Sequence, residues 1–359
     1  DQYNWPPMLA SSGSKEDQRI FEEKFKKMFN LAVLLMQWRY FEPEDRKPNY
    51  RIIEEFIRWC GSNNVVCKGH SLVWLSPGPL LIWSGPRWVD FSNESKFWPR
   101  LLKRAKDLVS HFKGKISIWD VVNEPVGNPA QVFQTKTRVD YTKEVLSLVR
   151  SVDPSTKLSI NDFDIFGGKK TNEFYQFLKT LKISGTPFDV IGIQSHSPGT
   201  DRFPLDRVWR ILEYYATLGK EIHITELSVP SGYWPITGSW KKGYWTADEQ
   251  ADYASKLYRV LFAHPSVNAI IWWGFADWAV SWNPEAGFFL DSKNSPRPLY
   301  NVLYNLIHKE WMTDCSGVTE GNGSFHFRGF RGSYEIKYSN GVSGFNLQKG
   351  SKNKFSFIL

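Results

Sequence analysis

The residues from 116 to 125 read ISIWDVVNEP, an apolar run that ends in polar residues. Its β-branched side chains favour a buried strand, and the amphipathic pattern at Tyr141–Ser151 favours a helix after it. The same strand-then-helix unit recurs over most of the chain. Because alternating strands and helices favour a parallel sheet, this unit decides the fold class.

Eight such units are predicted. The strands are predicted at Trp5–Ala10, Phe29–Met36, Val65–Trp74, Ile116–Asn123, Lys157–Asn161, Asp189–Gln194, Glu221–Glu226 and Asn268–Gly274. The helices are predicted at Gln18–Met28, Tyr50–Cys60, Phe97–Phe112, Tyr141–Ser151, Asn172–Ile183, Leu205–Leu218, Ala247–Ala263 and Leu299–Lys309. The sequence therefore predicts an α/β fold, a (β/α)8 TIM barrel in which helices surround a closed parallel sheet.

The pattern changes after Trp311. Glycine-rich turns there separate the short segments Ser324–Phe330, Tyr334–Tyr338 and Lys354–Leu359. We predict a catalytic barrel over residues 1–311 and a small β-rich C-terminal appendage over residues 312–359.

Composition indicates a folded globular protein. The chain has 359 residues with 42% hydrophobic content, and no apolar run reaches the roughly eighteen residues of a membrane span, so no membrane partner is predicted. The net charge of +8 is scattered along the chain, and basic residues do not interleave with aromatic ones, which argues against nucleic acid as a partner. Seventeen tryptophans favour sugar binding only weakly, because aromatic side chains also fill cores.

Several features suit a secreted protein. The sequence starts at Asp1 without a basic and apolar leader, as a mature chain does after a signal peptide is removed. Asn93 and Asn322 each begin an acceptor tripeptide for N-glycosylation, so a secreted glycoprotein is expected. The three cysteines have no C-x-x-C spacing and give neither a zinc site nor a disulfide scaffold; Cys60 and Cys67 could pair, but buried free thiols are favoured.

Two glutamates end strands on opposite sides of the predicted ring. Glu124 follows the fourth predicted strand and Glu226 ends the seventh. Catalytic groups of such barrels emerge at the carboxyl ends of the strands, so these side chains are expected to face each other across the barrel mouth. Carboxyl groups about 5–5.5 Å apart would cleave a glycosidic bond with retention, Glu226 acting as nucleophile and Glu124 as general acid and then base.

Other polar residues stand at the same rim. Asn123 is expected to bond the 2-hydroxyl of the reacting sugar, and His196 to orient Glu226. Each residue alone has a structural explanation: Glu before Pro commonly ends a strand, and a lone His70 is more often an interior histidine. Their joint occurrence at successive strand ends favours a catalytic site.

These motifs resemble glycoside hydrolase family 10, the endo-β-1,4-xylanases. The similar segments are His70–Trp74, Trp119–Pro125, Asn161–Asp164, Gln194–His196, Ile224–Leu227 and Trp273–Trp282. The resemblance implies that His70 and Trp74 line the subsite of the reacting sugar, and that Gln194 and His196 lie near the nucleophile. It also implies Trp273 and Trp282 as sugar platforms. No metal and no organic cofactor are implied.

The segment Val33–Trp38 departs from the family, which usually has a Glu-Asn pair and a lysine there; Gln37 is the nearest substitute for the lysine. Loss of these polar anchors predicts a relaxed xylanase that acts on xylan and also on β-1,4-glucan. The protein is expected to be a monomer. An inactive polysaccharide-binding barrel is the alternative function. Mannan and β-galactoside substrates within the same clan are disfavoured by the motifs that contain His70 and His196.

Overall fold

The computed structural model describes residues 15–75, 85–127, 133, 135–196, 201–277, 289–291, 293–348 and 354–357. The described residues divide into two compact units, one that ends at Tyr300 and one that starts at Asn301. This division falls inside the last helix, N-terminal to the predicted boundary after residue 311.

Within the described residues, seven parallel strands form one sheet, and each strand pairs with the next one along the chain. The strands are β1 (Leu31–Leu35), β2 (Val66–Trp74), β3 (Ile118–Asn123), β4 (Lys157–Asp162), β5 (Val190–His196), β6 (Glu221–Ser228) and β7 (Val267–Trp272). The predicted (β/α)8 barrel is confirmed. Its predicted first strand, Trp5–Ala10, lies outside the described residues, so β1 to β7 correspond to the second to eighth predicted strands.

Helices connect the strands. They are α1 (Lys15–Met28), the short α2 (Trp38–Phe41), α3 (Tyr50–Ser62), α4 (Glu94–His111), α5 (Arg138–Val152), α6 (Thr171–Ile183), α7 (Leu205–Ala216), α8 (Ala247–Ala263) and α9 (Pro298–Asn305), which continues as a π-helical turn over Leu306–Glu310. None of the helices within the described residues is both long and apolar enough to cross a membrane.

The helices α4 and α5 begin one turn earlier than their apolar patterns predict. In α5 the hydroxyl of Thr137 accepts from the Asp140 amide at 3.2 Å, and the Asp140 carboxylate accepts from the Thr137 amide at 2.9 Å. This capping box satisfies amides that the first turn leaves unpaired. The polar first turn therefore belongs to the helix, although it adds nothing to the apolar stripe.

The C-terminal unit contains an antiparallel hairpin of β8 (Gly332–Tyr338) and β9 (Gly341–Leu347), in which Tyr334 lies opposite Phe345. The segment Ser324–Phe330 of the predicted β-rich appendage has no strand structure. The partner of β8 is the strand that follows it after a two-residue turn, a local pairing that closes a short loop. Residues 354–357 form no strand either, and the rest of the predicted last segment lies outside the described residues.

Cysteines and glycosylation signals lie as follows. Cys60 and Cys67 are buried free thiols, as favoured by the sequence, and Cys315 is an exposed free thiol. The hydrogen bond with Cys67, together with burial, raises the pKa of the Cys60 thiol. Asn322 is exposed and Asn93 is partly buried at the start of α4; glycosylation of either stays a prediction.

Gly69 in β2 provides a test of packing inside the barrel. A Cβ atom there would lie 2.3 Å from the ring of Trp119, a fully buried side chain of β3. We expect Gly69→Ala to lower the free energy of unfolding by about 1–3 kcal/mol, the usual cost of overpacking. In the matched variant Gly61→Ala, the new methyl group in α3 meets no atom within 4 Å, and we expect a gain of about 0.5–1 kcal/mol. Chemical denaturation measures both, and equal stabilities of the two variants would contradict this account.

Candidate active site

Glu124 and Glu226 lie at the carboxyl ends of two strands that are not neighbours. Glu124 directly follows β3, and Glu226 lies near the end of β6. Gln194 of β5 is in register with Glu226, and its amide nitrogen donates to Glu124 Oε1 at 2.9 Å. Since paired residues of adjacent strands lie about 5 Å apart, the Gln194 side chain reaches from beside one glutamate to the other. Both glutamates therefore lie at the same end of the barrel.

Two neutral donors orient the Glu124 carboxylate. Trp74, at the end of β2, donates its indole N–H to Oε2 at 2.8 Å, while Gln194 donates to Oε1. The backbone N–H of Glu124 donates to the Asn161 carbonyl oxygen at 2.6 Å. Its φ angle of 57° lies in the left-handed region, which is uncommon for a residue with a side chain. The chain thus turns sharply at Glu124 and directs its side chain over the strand ends.

Asp162 holds the turn that follows Glu124. Its carboxylate accepts the backbone N–H groups of Val126 at 2.7 Å and of Gly127 at 2.9 Å. Burial raises the pKa of Asp162 to about 7, with a smaller contribution from the charge of Glu124, although the backbone donors act in the opposite direction. A Cβ atom at Gly127 would lie 2.5 Å from Asp162 Oδ1, so glycine is required for this close approach.

Glu226 is held by an amide and an imidazole. Asn161 Nδ2 donates to Oε1 at 2.7 Å, and His196 Nε2 lies 3.0 Å from Oε2. An ionised carboxylate can only accept, so the His196 tautomer that fits carries its proton on Nε2. His196 Nδ1 lies 3.0 Å from the hydroxyl of Ser228, which fixes the ring from its other side.

Asn161 itself is fixed by its neighbours. Its Nδ2 also donates to Asn123 Oδ1 at 2.8 Å, and its Oδ1 accepts from the Thr225 hydroxyl. Thr225 and Glu226 are consecutive, yet both contact Asn161. The register between β5 and β6 shifts here, from Ile193 opposite Ile224 to Gln194 opposite Glu226. Such a bulge redirects side chains that would otherwise point to opposite faces.

His70 lies above a buried ion pair. Its Nδ1 is 3.0 Å from Asp120 Oδ2, and Lys68 Nζ lies 2.9 Å from the same oxygen. Burial lowers the pKa of His70, but the hydrogen bond with Asp120 and the charge of Glu226 outweigh it, so the net direction is upward. Burial opposes ionisation of Asp120, yet Lys68 and His70 hold the pKa of its carboxyl well below the usual range. The Trp273 ring stands edge-on to His70, with centroids 5.4 Å apart.

The structure thus brings most of the predicted site residues into one cluster. These are Glu124, Glu226, His70, Trp74, Asn123, Gln194, His196 and Trp273. Gln37 is buried at the start of α2, and within the described part of the chain its side chain forms no hydrogen bond with the cluster. Trp282 lies outside the described residues.

Sequence analysis assigned no role to several residues that support this cluster, although four of them lie in the segments that resemble the family. They are Lys68, Asp120, Asn161, Asp162, Thr225 and Ser228. The available signal was position, because each of them lies in a predicted strand or within two residues after one. Their partners come from other strands, so no local pattern identifies the contacts.

A (β/α)8 barrel with two carboxylates at the carboxyl ends of its strands is the arrangement of many glycoside hydrolases. Residues 8–306 match the model of Glycosyl hydrolase family 10. The chain belongs to this family.

Relatives and solved structures agree with this assignment. Endo-1,4-beta-xylanase B of Thermotoga neapolitana is 30% identical over 312 residues, which cover 83% of this chain and 86% of the relative. Endo-1,4-beta-xylanase 1 of Arabidopsis thaliana is 27% identical over 93% of this chain, which spans only 33% of that protein. The structure of xylanase 10B from Thermotoga petrophila RKU-1 in complex with xylobiose is similar, with a TM-score of 0.70 and 30% identity over 83% of this chain and 91% of that one.

The buried Asp162 carboxyl generates a prediction about stability and pH. Its pKa of about 7 in the folded protein exceeds the value of about 3.9 expected in the unfolded chain. Between these two values the folded state binds more protons, so the contribution of Asp162 to stability falls as pH rises from about 4 to 7. We expect Asp162→Asn to flatten this decline, measured as the free energy of unfolding against pH.

Asp153→Asn is the matched control. Asp153 is also buried, and it accepts the Ser155 amide at 3.0 Å near the opposite end of β4. The pKa of Asp153 is lowered, because the hydrogen bonds from Ser155 outweigh burial. Its substitution therefore leaves the decline between pH 4 and 7 in place. A decline of the same slope in Asp162→Asn would refute the assignment.

Proposed function

We propose that this chain is a retaining endo-β-1,4-xylanase with Glu226 as nucleophile and Glu124 as general acid and base. The observation that carries the proposal is the pair of carboxylates at the carboxyl ends of β3 and β6, connected through Gln194. The relatives named as xylanases support xylan as the substrate.

The hydrogen bonds support the assignment of the two roles. Glu226 accepts from Asn161 Nδ2 and lies beside His196 Nε2, so its carboxylate is held in one orientation, as attack on a fixed point requires. Glu124 accepts from the neutral donors Trp74 and Gln194, and it lies on a turn at the rim. A carboxyl group that alternates between acid and base suits that position.

The first step forms a covalent intermediate. Glu226 attacks the anomeric carbon and the bond to the leaving sugar breaks, while Glu124 gives its proton to the leaving oxygen. The positive charge that develops on the ring is stabilised by the ionised carboxylate. Because Asn123 Oδ1 is engaged by Asn161, its NH₂ group is the part that faces the 2-hydroxyl of the sugar.

The second step releases the sugar. Glu124, now ionised, takes a proton from water, and the oxygen of that water attacks the anomeric carbon. The bond to Glu226 breaks and the carboxylate is regenerated. Two inversions at one carbon leave the product with the configuration of the substrate.

Substitution of each glutamate tests the mechanism. We expect Glu226→Gln to lower kcat on an aryl xylobioside by several orders of magnitude, because glutamine cannot form the ester. For Glu124→Gln we expect a large loss of kcat on substrates with poor leaving groups, because the acid is missing in the first step. Azide should restore turnover in the second step, because it attacks the covalent intermediate without general base help. NMR of the first product of the wild-type enzyme should show the β-anomer.

Three results would contradict the mechanism. An α-anomer as first product would show that the enzyme inverts the anomeric configuration. Full activity of either variant would show that the substituted glutamate is not catalytic. Saturable xylan binding by the wild type without turnover would favour the alternative, a polysaccharide-binding barrel.

The end of β1 supports a relaxed substrate preference. Leu34, Leu35 and Met36 are all buried and apolar, and they lie where the resemblance places polar anchors for the sugar beyond the reacting one. Fewer hydrogen bonds to xylose hydroxyls weaken discrimination against the hydroxymethyl group of glucose.

We therefore expect the enzyme to hydrolyse soluble cellulose derivatives slowly as well as xylan. Reducing-sugar release on both polymers measures this preference. Glu226→Gln is the matched control, because it should abolish both activities if they share one site. Cleavage of xylan with no release from the cellulose derivative would leave the xylanase proposal intact and refute relaxation.

A further inference from the structure

The connection between β6 and α8 contains a hairpin that carries aromatic side chains, residues 233–245, called here the aromatic hairpin. The Tyr233 N–H donates to the Trp245 carbonyl and the Trp245 N–H to the Trp234 carbonyl, both at 2.8 Å. Further along, the Ile236 N–H donates to the Gly243 carbonyl at 2.9 Å. The connection is thus an ordered antiparallel pair.

Its inner side is anchored to the barrel. Ile236 and Trp245 are buried, and the Trp245 ring packs against Tyr253 of α8 with centroids 5.7 Å apart. The Thr237 carbonyl accepts from the Arg202 amide at 2.8 Å, which connects the hairpin to the segment that precedes α7. The hairpin therefore has a fixed orientation.

Four large rings of the hairpin are exposed to solvent. Their exposed fractions are 88% for Trp240, 74% for Tyr233, 60% for Tyr244 and 48% for Trp234. The core needs only the buried Ile236 and Trp245 from this segment, so packing does not explain these rings. Clustered exposed apolar groups on a soluble protein generally mark a binding surface.

Tyr233 adds an independent observation. Its φ angle of 59° is left-handed. Its N–H donates to the Trp245 carbonyl and the Trp245 N–H donates to the Trp234 carbonyl, so Tyr233 occupies the first position of a β-bulge, where glycine is favoured. An L-residue with a side chain is strained there. The fold by itself would therefore prefer glycine, whereas a tyrosine supplies an aromatic ring at the surface.

The aromatic hairpin belongs to the connection that leaves the carboxyl end of β6, the strand that carries Glu226. It begins shortly after Ser228, whose hydroxyl contacts His196, and His196 in turn contacts Glu226. A polymer whose reacting sugar lies against Glu226 must leave the site over the strand ends. Aromatic rings stack on the C–H faces of pyranose sugars, and a xylose main chain presents such faces at each residue.

We propose that the aromatic hairpin binds the β-1,4-xylan main chain beyond the sugars that react. This inference rests on the proposed function, because the occupant is the substrate polymer. The hairpin contributes to capture of long chains, and short substrates that fill only the sugars near Glu124 and Glu226 do not reach it.

Two variants test the proposal in the full chain. We expect Trp240→Ala and Tyr233→Gly each to raise KM for polymeric xylan roughly two- to tenfold, the effect of one lost aromatic contact. The kcat/KM for an aryl xylobioside should stay at the wild-type value. Tyr233→Gly should also have a Tm no lower than that of the wild type, because glycine relieves the left-handed strain.

Phe262→Ala is the matched control. This phenylalanine is 44% exposed near the C-terminal end of α8, at the opposite end of the barrel from the hairpin. Its substitution should leave KM for xylan unchanged.

The outcomes separate this inference from the proposed function. Wild-type KM values on xylan for both hairpin variants would overturn the inference while the enzyme remained a xylanase. Equal losses on xylan and on the aryl xylobioside would also overturn it, since the hairpin would then only support the site. A dimer that dissociates in the variants would assign the rings to a second copy of this chain instead. A wild-type protein that cleaves no xylan would refute the proposed function itself.

Discussion

Asn161 holds both glutamates of the candidate site at once. Its backbone carbonyl accepts from the Glu124 amide, and its side-chain amide donates to Glu226. Because the Thr225 hydroxyl fixes its Oδ1, the amide cannot turn away from Glu226. A Cβ atom at Gly192 of β5 would lie 2.8 Å from the same Oδ1. Glycine at this position therefore leaves the room that the Asn161 side chain needs.

The charges beneath the site depend on one another in the same way. Lys68, Asp120 and His70 are all buried, and removal of one partner from a buried ion pair costs about 3–5 kcal/mol. Lys68 keeps Asp120 ionised, and Asp120 holds the His70 ring at its Nδ1 edge. The histidine is therefore positioned by electrostatics that extend down into the barrel, and not by its own strand alone.

The repeating part of the fold could be predicted from the sequence, because each strand and helix is encoded by local periodicity. The buried strand at Ile118–Asn123 and the amphipathic α8, Ala247–Ala263, lie where their patterns place them. Errors arise where hydrogen bonds rather than apolar residues set a boundary, as at the Thr137 cap of α5. The strands of the C-terminal unit were harder to predict. Their alternating segments are short, and the turn between β8 and β9, rather than composition, determines which segments pair.

The site was predictable at the level of strand ends but not of contacts. Parallel strands bring their carboxyl ends together, so Glu124, Gln194 and Glu226 could be grouped from order alone. Contacts such as that of Thr225 with Asn161 depend on a shift of register inside β6, which no periodic pattern records. The left-handed backbone of Glu124 and Tyr233 is likewise unfavourable locally. At Glu124, which directly follows β3, the hydrogen bond from its amide to the Asn161 carbonyl and the packed barrel stabilise the chain against this local strain.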